Sequence, residues 1–183
     1  MATYCEVIAN MKGEVQELHR EYHDNHYGFP LYDDNDLFGR FLLEINQAGL
    51  SWTLMLRKLK GFERAYEGFD IEKIAAYGDD DFQRLMSDSG IIRNRLKIKA
   101  AIENARRILE IRKEYGTWRR WLDEMALTHK TLDEWTRLFK KRFVFTGGEI
   151  VNEFLMSIDM LPGAHSEDCP VYRRIRSQNV NNY

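Results

Sequence analysis

Apolar residues recur at spacings of three and four along nearly the whole chain, the period of helices that bury one face. "DNDLFGRFLLEINQAG" and "SWTLMLRKLKGFERAYEG" predict two such helices, with Ser51 as the N-cap of the second. "DIEKIAAYG" and "DDDFQRLMSDSG" each open with an aspartate suited to capping and close on a glycine, the punctuation of short helices. "IIRNRLKIKAAIENARRILEIRKEYG" predicts a longer helix, followed by "TWRRWLDEMA", "TLDEWTRLFKKR" and "GEIVNEFLMSID". "MLPGAH" breaks the series, "RFVFTG" reads as a short extended link, and the last residues, about 177–183, read as a frayed tail. Trp118, Trp121 and Trp135 fall at helical spacings and are expected in the core. The pattern is that of an all-α protein.

Composition narrows this picture. A chain of 183 residues fits a single domain, 1–183, large enough to bury one core. With 31% charged and 44% hydrophobic residues it is neither disordered nor membrane-like. No apolar run reaches the roughly 18 residues of a membrane span, and Met1 to Asn10 lacks the basic flank and apolar run of a signal peptide, so the chain is read as cytoplasmic. A formal net charge of −2 gives no global attraction to nucleic acid; any binding must come from local runs, such as Arg93, Arg95, Lys97 and Lys99 or Lys140, Lys141 and Arg142.

Three stretches carry candidate chemistry. In "LMSDSGIIRNRLKI" a helix is expected to end at Gly90, whose missing Cβ permits a left-handed turn, and another to begin a few residues later. Backbone N–H groups at that second N-terminus would form an anion site flanked by Arg93, Arg95 and Lys97, suited to a DNA phosphate. In "LLEINQAGLSW", Glu44 lies among Phe41, Leu42, Leu43 and Ile45, with Trp52 opening the next helix. Either Glu44 faces solvent while Trp52 fills the core, or carboxylate and indole share a site for a flat ligand. "EYHDNHYG" crowds His23, His26, Tyr22 and Tyr27 together, while the two cysteines, Cys5 and Cys169, lie near opposite ends of the chain. The usual Cys-x₂-Cys spacing of a zinc site is absent, so a disulfide, two idle thiols or a metal site all stay open from spacing alone.

Taken together, "EYHDNHYG", "QAGLSW", "SGIIRNRLKIKAAIENAR" and "FKKRFVFTGGEIVNEFLMSID" resemble, in order, segments of the DNA-3-methyladenine glycosylase I family of the helix-hairpin-helix superfamily. The resemblance spans most of residues 20 to 169. It implies a helix-hairpin-helix DNA glycosylase fold with a structural zinc joining the N- and C-terminal segments, held by Cys5, His23, His165 and Cys169. It further implies a monofunctional enzyme that hydrolyses the N-glycosidic bond of N3-methylated purines in double-stranded alkylated DNA and releases the free methylated base. The non-catalytic alternative, a zinc-stabilised DNA- or lesion-binding protein, stays open at this stage.

By the same resemblance, Tyr22 lines the base pocket, Trp52 stacks on the base, and Glu44 accepts hydrogen bonds from its polar edge. Gly90, Arg93, Arg95 and Lys97 are the implied DNA contacts. Tyr27 stands where the family has tryptophan, and Ile45 and Asn46 differ from the family's choices beside Glu44. Residues 116–142 are shorter than the corresponding family region. His19 and His26 are expected at the surface or a pocket rim, and a monomer is expected.

Overall fold

The computed structural model describes residues 3–180, and among them every regular element is helical. The chain forms two compact units, one of Met1–Pro30 with Leu155–Tyr183, the other of Leu31–Phe154. No helix among the described residues is long and apolar enough to cross a membrane.

The larger unit begins with α3 (Asp34–Gln47), preceded in the smaller unit by α1 (Tyr4–Ala9) and α2 (Gly13–Asn25). Asp33 caps α3 by accepting from the N–H groups of Asn35 and Asp36. Every residue from Leu37 to Asn46 is buried, so α3 is covered on all sides instead of showing one polar face. α4 (Trp52–Ala65) follows, capped by Ser51 as its sequence predicts, and then a 3₁₀ turn, Glu67–Phe69. α5 (Ile71–Ala75) is capped by Asp70. α6 (Asp79–Ser87) takes its N-cap from Gly78 instead of an aspartate; the acidic residues occupy its first turn, where Asp81 accepts from the Gly78 N–H.

α7 (Arg95–Tyr115) is the longest helix and ends at Gly116, whose φ of 86° makes it the left-handed stop expected there. Ile98, Ala101, Ala105, Ile108 and Ile111 form its buried stripe. α8 (Trp118–Ala126) and α9 (Leu132–Arg142) complete the unit with the first part of α10 (Gly148–Ser157). Trp118, Trp121 and Trp135 are all core residues, as their spacing implies. Trp118 stacks on Phe154 at 5.6 Å, and the Phe41 ring meets Phe139, Phe143 and Phe154 within 5.7 Å.

One buried carboxylate organises this unit. Asp34 accepts from Arg112 Nε at 2.7 Å and from the N–H groups of Trp118 and Arg119 at 2.9 Å. Thr117 Oγ1 takes the N–H of Arg120, so three orphan donors of α8 are satisfied and α3 is fixed to the end of α7. Buried Asn104 of α7 likewise holds the 143–147 link, exchanging two hydrogen bonds with the Val144 backbone.

In the smaller unit, α11 (Pro170–Val180) closes the described chain. Residues 177–180, expected in a frayed tail, extend that helix; 181–183 lie outside the described residues. Cys169, Val171 and Ile175 form a small core packed by Cys5, Phe29 and Tyr172.

Candidate active site and metal centre

Glu44 occupies the last turn of α3 and is only 4% exposed. Desolvation pushes its carboxyl group up to about 8; Arg40, one turn earlier, pulls it down and Glu153 pushes it further up. Of the two arrangements the sequence left open, the solvent-facing one is excluded. Burial therefore favours the protonated, neutral form of this carboxyl group.

After α3 the chain turns sharply. Gln47 clamps the turn from both sides, its carbonyl accepting from the Leu50 N–H at 2.7 Å and its Nε2 donating to the Leu50 carbonyl at 2.8 Å. Gly49, at φ 80°, supplies the left-handed residue that such a turn needs. Ser51 Oγ then accepts from the Leu54 N–H, which makes Trp52 the first residue of α4. Trp52 is half-buried, neither sealed into the core nor fully in solvent.

The segment from Ser87 to Arg95 departs from its sequence reading in three ways. Gly90 is not left-handed: it is absent from the residues with positive φ, and its lack of a side chain serves close packing. A Cβ on Gly90 would meet Arg64 Nη2 at 2.7 Å and Asp88 Oδ1 at 2.9 Å, while one on Gly61 of α4 would lie 2.3 Å from the Gly90 carbonyl. Asp88 Oδ1 accepts the Gly90 N–H at 2.7 Å, a bond that lowers the Asp88 carboxyl below its usual range, and Lys58 donates to the Ser89 carbonyl at 2.7 Å. The N-terminus of α7 is also not left open, because Asn94 Oδ1 accepts from the N–H groups of Leu96 and Lys97. Finally, Lys97 does not join the surface set. It is 5% exposed, and its Nζ donates to the carbonyls of Asn46 and Ala48 at 2.6 and 2.7 Å. Arg93 and Arg95 do face solvent, with Arg95 lying over the Phe82 ring at 5.2 Å.

In the smaller unit, the four residues Cys5, His23, His165 and Cys169 come together. One ligand atom from each lies within 4.8 Å of all the others. His23 Nε2 is 3.1 Å from His165 Nδ1 and 3.3 Å from Cys5 Sγ, and Cys169 Sγ is 3.9 Å from both ring nitrogens. Tetrahedral coordination by two nitrogens and two sulfurs spaces its ligands at ~3.3 Å for N···N and ~3.5 Å for N···S. The geometry therefore suits one metal ion.

Each outward-facing nitrogen has an acceptor: His23 Nδ1 meets Asp24 Oδ1 at 2.6 Å, and His165 Nε2 meets the Tyr27 carbonyl at 2.7 Å. A carbonyl only accepts, so His165 carries its proton on Nε2 and turns the Nδ1 lone pair to the cluster; the carboxylate does the same for His23. Two such lone pairs 3.1 Å apart repel unless a cation lies between them. Burial pushes the Cys169 thiol up, while the N–H groups of Tyr172 and Val171 in the first turn of α11 pull it down. Both cysteines are free thiols in this structure.

Several supports of this cluster escaped the sequence reading. Gly28 has φ 77°, and a Cβ there would sit 2.8 Å from Ala164 Cβ and 3.0 Å from the His165 ring. Tyr4 meets His19, Tyr22, His23 and Tyr27 edge-on, with its hydroxyl 2.8 Å from His19 Nδ1. His19 is thus buried, not on the surface, whereas His26 is exposed as expected. Tyr22 and Tyr27 are both buried. A glycine before Phe29–Pro30 was a visible turn signal for Gly28; nothing local marked Tyr4.

Comparison with known proteins follows the same lines. The family model described as methyladenine glycosylase matches residues 12–142, a span that contains Glu44, Trp52, the 88–94 loop and His23. DNA-3-methyladenine glycosylase 1 of Escherichia coli K12 is 33% identical over 172 residues, covering 85% of this chain and 91% of that protein. DNA-3-methyladenine glycosylase of Haemophilus influenzae Rd is 32% identical over 187 residues, covering 93% and 98%. Among solved structures, 3-methyladenine DNA glycosylase I from Staphylococcus aureus aligns with a TM-score of 0.80 at 30% identity, over 93% of this chain and 97% of that one. With that match and relatives spanned nearly end to end, the chain belongs to the methyladenine glycosylase family.

Proposed function

We propose that this chain is a base-excision repair glycosylase that hydrolyses the N-glycosidic bond of 3-methyladenine in alkylated double-stranded DNA, working as a monomer. The observation that carries the reading is the buried carboxyl of Glu44 on the helix before Trp52, in a chain of this family. Methylation at N3 leaves the purine cationic while it is attached to deoxyribose. Cleavage of the bond to C1′ lets the base depart as a neutral molecule, and water supplies the new C1′–OH and releases a proton. Little acid catalysis is needed. The protein has to extract the nucleotide from the stack and hold the cationic base away from water.

Glu44 meets the second need. Its carboxyl is neutral without substrate and ionises beside the cationic base, accepting N–H groups from its edge. At an effective dielectric of ~20, unit charges ~4 Å apart attract by about 4 kcal/mol, an advantage that uncharged adenine does not receive. Trp52 is the stacking plane for the base. α6, the 88–94 loop and α7 are read as the helix-hairpin-helix element. Exposed Arg93 and Arg95 would contact the DNA backbone, with Gly90 shaping the loop. Zinc is the metal best matched by two thiolates and two imidazoles; Cys5, His23, His165 and Cys169 would hold it. It would supply a structural cross-link with no open coordination position.

Free 3-methyladenine released from methylated duplex DNA, separated by chromatography, tests the activity. The native chain should release it, and Glu44→Gln should reduce release by about 10²-fold or more while the helical circular dichroism is unchanged. Salt-dependent DNA binding by folded native protein with no base release would instead establish the non-catalytic reading.

A further inference from the structure

Lys97 lies in sequence beside Arg93 and Arg95, yet its ammonium is turned away from solvent onto the end of α3. Asn46 and Ala48, the two carbonyls it binds, belong to the last turn and C-cap of that helix, whose C-terminal carbonyls lack intrahelical partners. A buried cation donating two charge-assisted hydrogen bonds to such carbonyls also meets the negative end of the helix dipole. Glu44 lies two residues before Asn46. On its other side, Lys97 is tied to the 88–94 loop, because Asn94 Oδ1 accepts its backbone N–H at 3.1 Å.

The helix that starts with Trp52 is joined to the same loop by separate contacts. Lys58 donates to the Ser89 carbonyl at 2.7 Å, and Gly61 lies so close to the Gly90 carbonyl that a Cβ would approach it to 2.3 Å. Both helices bearing candidate base-recognition residues are therefore braced against one loop.

We propose that Lys97 is a positioning residue for base recognition, holding the Glu44 end of α3 to the first turn of α7, and is not a DNA-phosphate contact. This rests on the reading of Glu44 as the base-recognising carboxylate. Removing the brace frees the carbonyls of Asn46 and Ala48, lets the end of α3 shift, and spoils the placement of Glu44. It removes no charge from the DNA-facing surface.

Two binding measurements separate these roles: affinity for free 3-methyladenine, and affinity for an undamaged duplex oligonucleotide over a range of salt concentrations. Lys97→Met should weaken binding of the free base by about tenfold or more, the loss expected for charge-assisted bonds. Its salt-dependence slope should match the native protein's. Arg93→Ala and Arg95→Ala should behave oppositely, each lowering the slope by about 1 with base affinity kept. If Lys97→Met does not fold, Lys97→Gln, which keeps one donor without the charge, is judged by the same criteria. A fall in the salt slope with either variant, or unchanged base affinity, overturns the proposal. Failure of the native protein to release 3-methyladenine from methylated duplex DNA would instead remove the functional reading beneath it.

Discussion

Glu44 shows how one residue can be placed correctly only by its whole helix. A carboxylate among four apolar neighbours leaves two orientations open, since a helix with one polar face would turn it to water. Here the ten residues from Leu37 to Asn46 are all buried, including Arg40 and Asn46, so α3 has no solvent face over that length for Glu44 to use. The consequence is a measurable pH effect. The carboxyl is raised from 4.5 to about 8, so between those values the folded state retains a proton that the unfolded chain releases. Stability contributed by this group is thus unchanged below pH 4.5, falls as pH rises, and levels off above about 8. Glu44→Gln removes the penalty: its urea midpoint should exceed the native protein's at pH 8 and converge with it near pH 4. In the same range the native kcat/KM should rise with pH toward a plateau above about 8, because the ionised form receives the cationic base, whereas any residual rate of the variant should be flat. A flat native profile would mean that the charge state of Glu44 does not govern base capture.

At the scale of elements, the starts of α4 and α5 were legible because capping is local chemistry, whereas α6 takes its cap from Gly78 and not from the expected aspartate, and no pattern announced α1 or α2. Ser51, Asp70, Thr117 and Thr131 lie within three residues of the N–H groups they accept, and each caps its helix. What local pattern does not carry is the partner of a loop. Gly90 reads as a left-handed stop from its neighbours alone, but its conformation is set by Gly61, far away in sequence, whose own missing side chain admits the loop. The same holds for Lys97: its place in a basic run says nothing of the Asn46 and Ala48 carbonyls that its ammonium meets across the fold. Gly61→Ala tests this view. Its Cβ would overlap the Gly90 carbonyl, which is backbone and cannot swing aside, so the loop must move. Overpacking of this kind costs about 1–3 kcal/mol. Undamaged duplex should bind several-fold more weakly, while the emission of the core tryptophans stays native. Unchanged duplex affinity would show that the loop does not contact DNA in this position.

For the molecule as a whole, the four residues that could hold a metal lie at both ends of the sequence, and no local spacing announces them. Only the resemblance to a known family singled out Cys5, His23, His165 and Cys169 together, and only the fold places their ligand atoms within 4.8 Å. All four belong to the unit of Met1–Pro30 and Leu155–Tyr183, in which Cys169, Val171 and Ile175 pack as one small cluster against Cys5, Phe29 and Tyr172. Metal binding energy becomes folding energy when the unfolded chain has no preformed site. A groove of about 330 Å³ lined by His23, Asp24, Cys169 and Arg174 opens beside the cluster and gives a chelator access. The four tryptophans, by contrast, all lie in the Leu31–Phe154 unit and report on it separately. Withdrawing metal at 1,000-fold saturation removes about 4 kcal/mol, equivalent to roughly 10 °C in Tm for a chain of this size. Chelation should therefore accelerate amide exchange in α1, α2 and α11 well before the tryptophan emission changes, and Cys169→Ser should behave like the chelated protein without responding further to chelator. If exchange in those three helices is identical with and without chelator, the cluster does not hold a structural metal, and its sulfur and nitrogen atoms converge for another purpose.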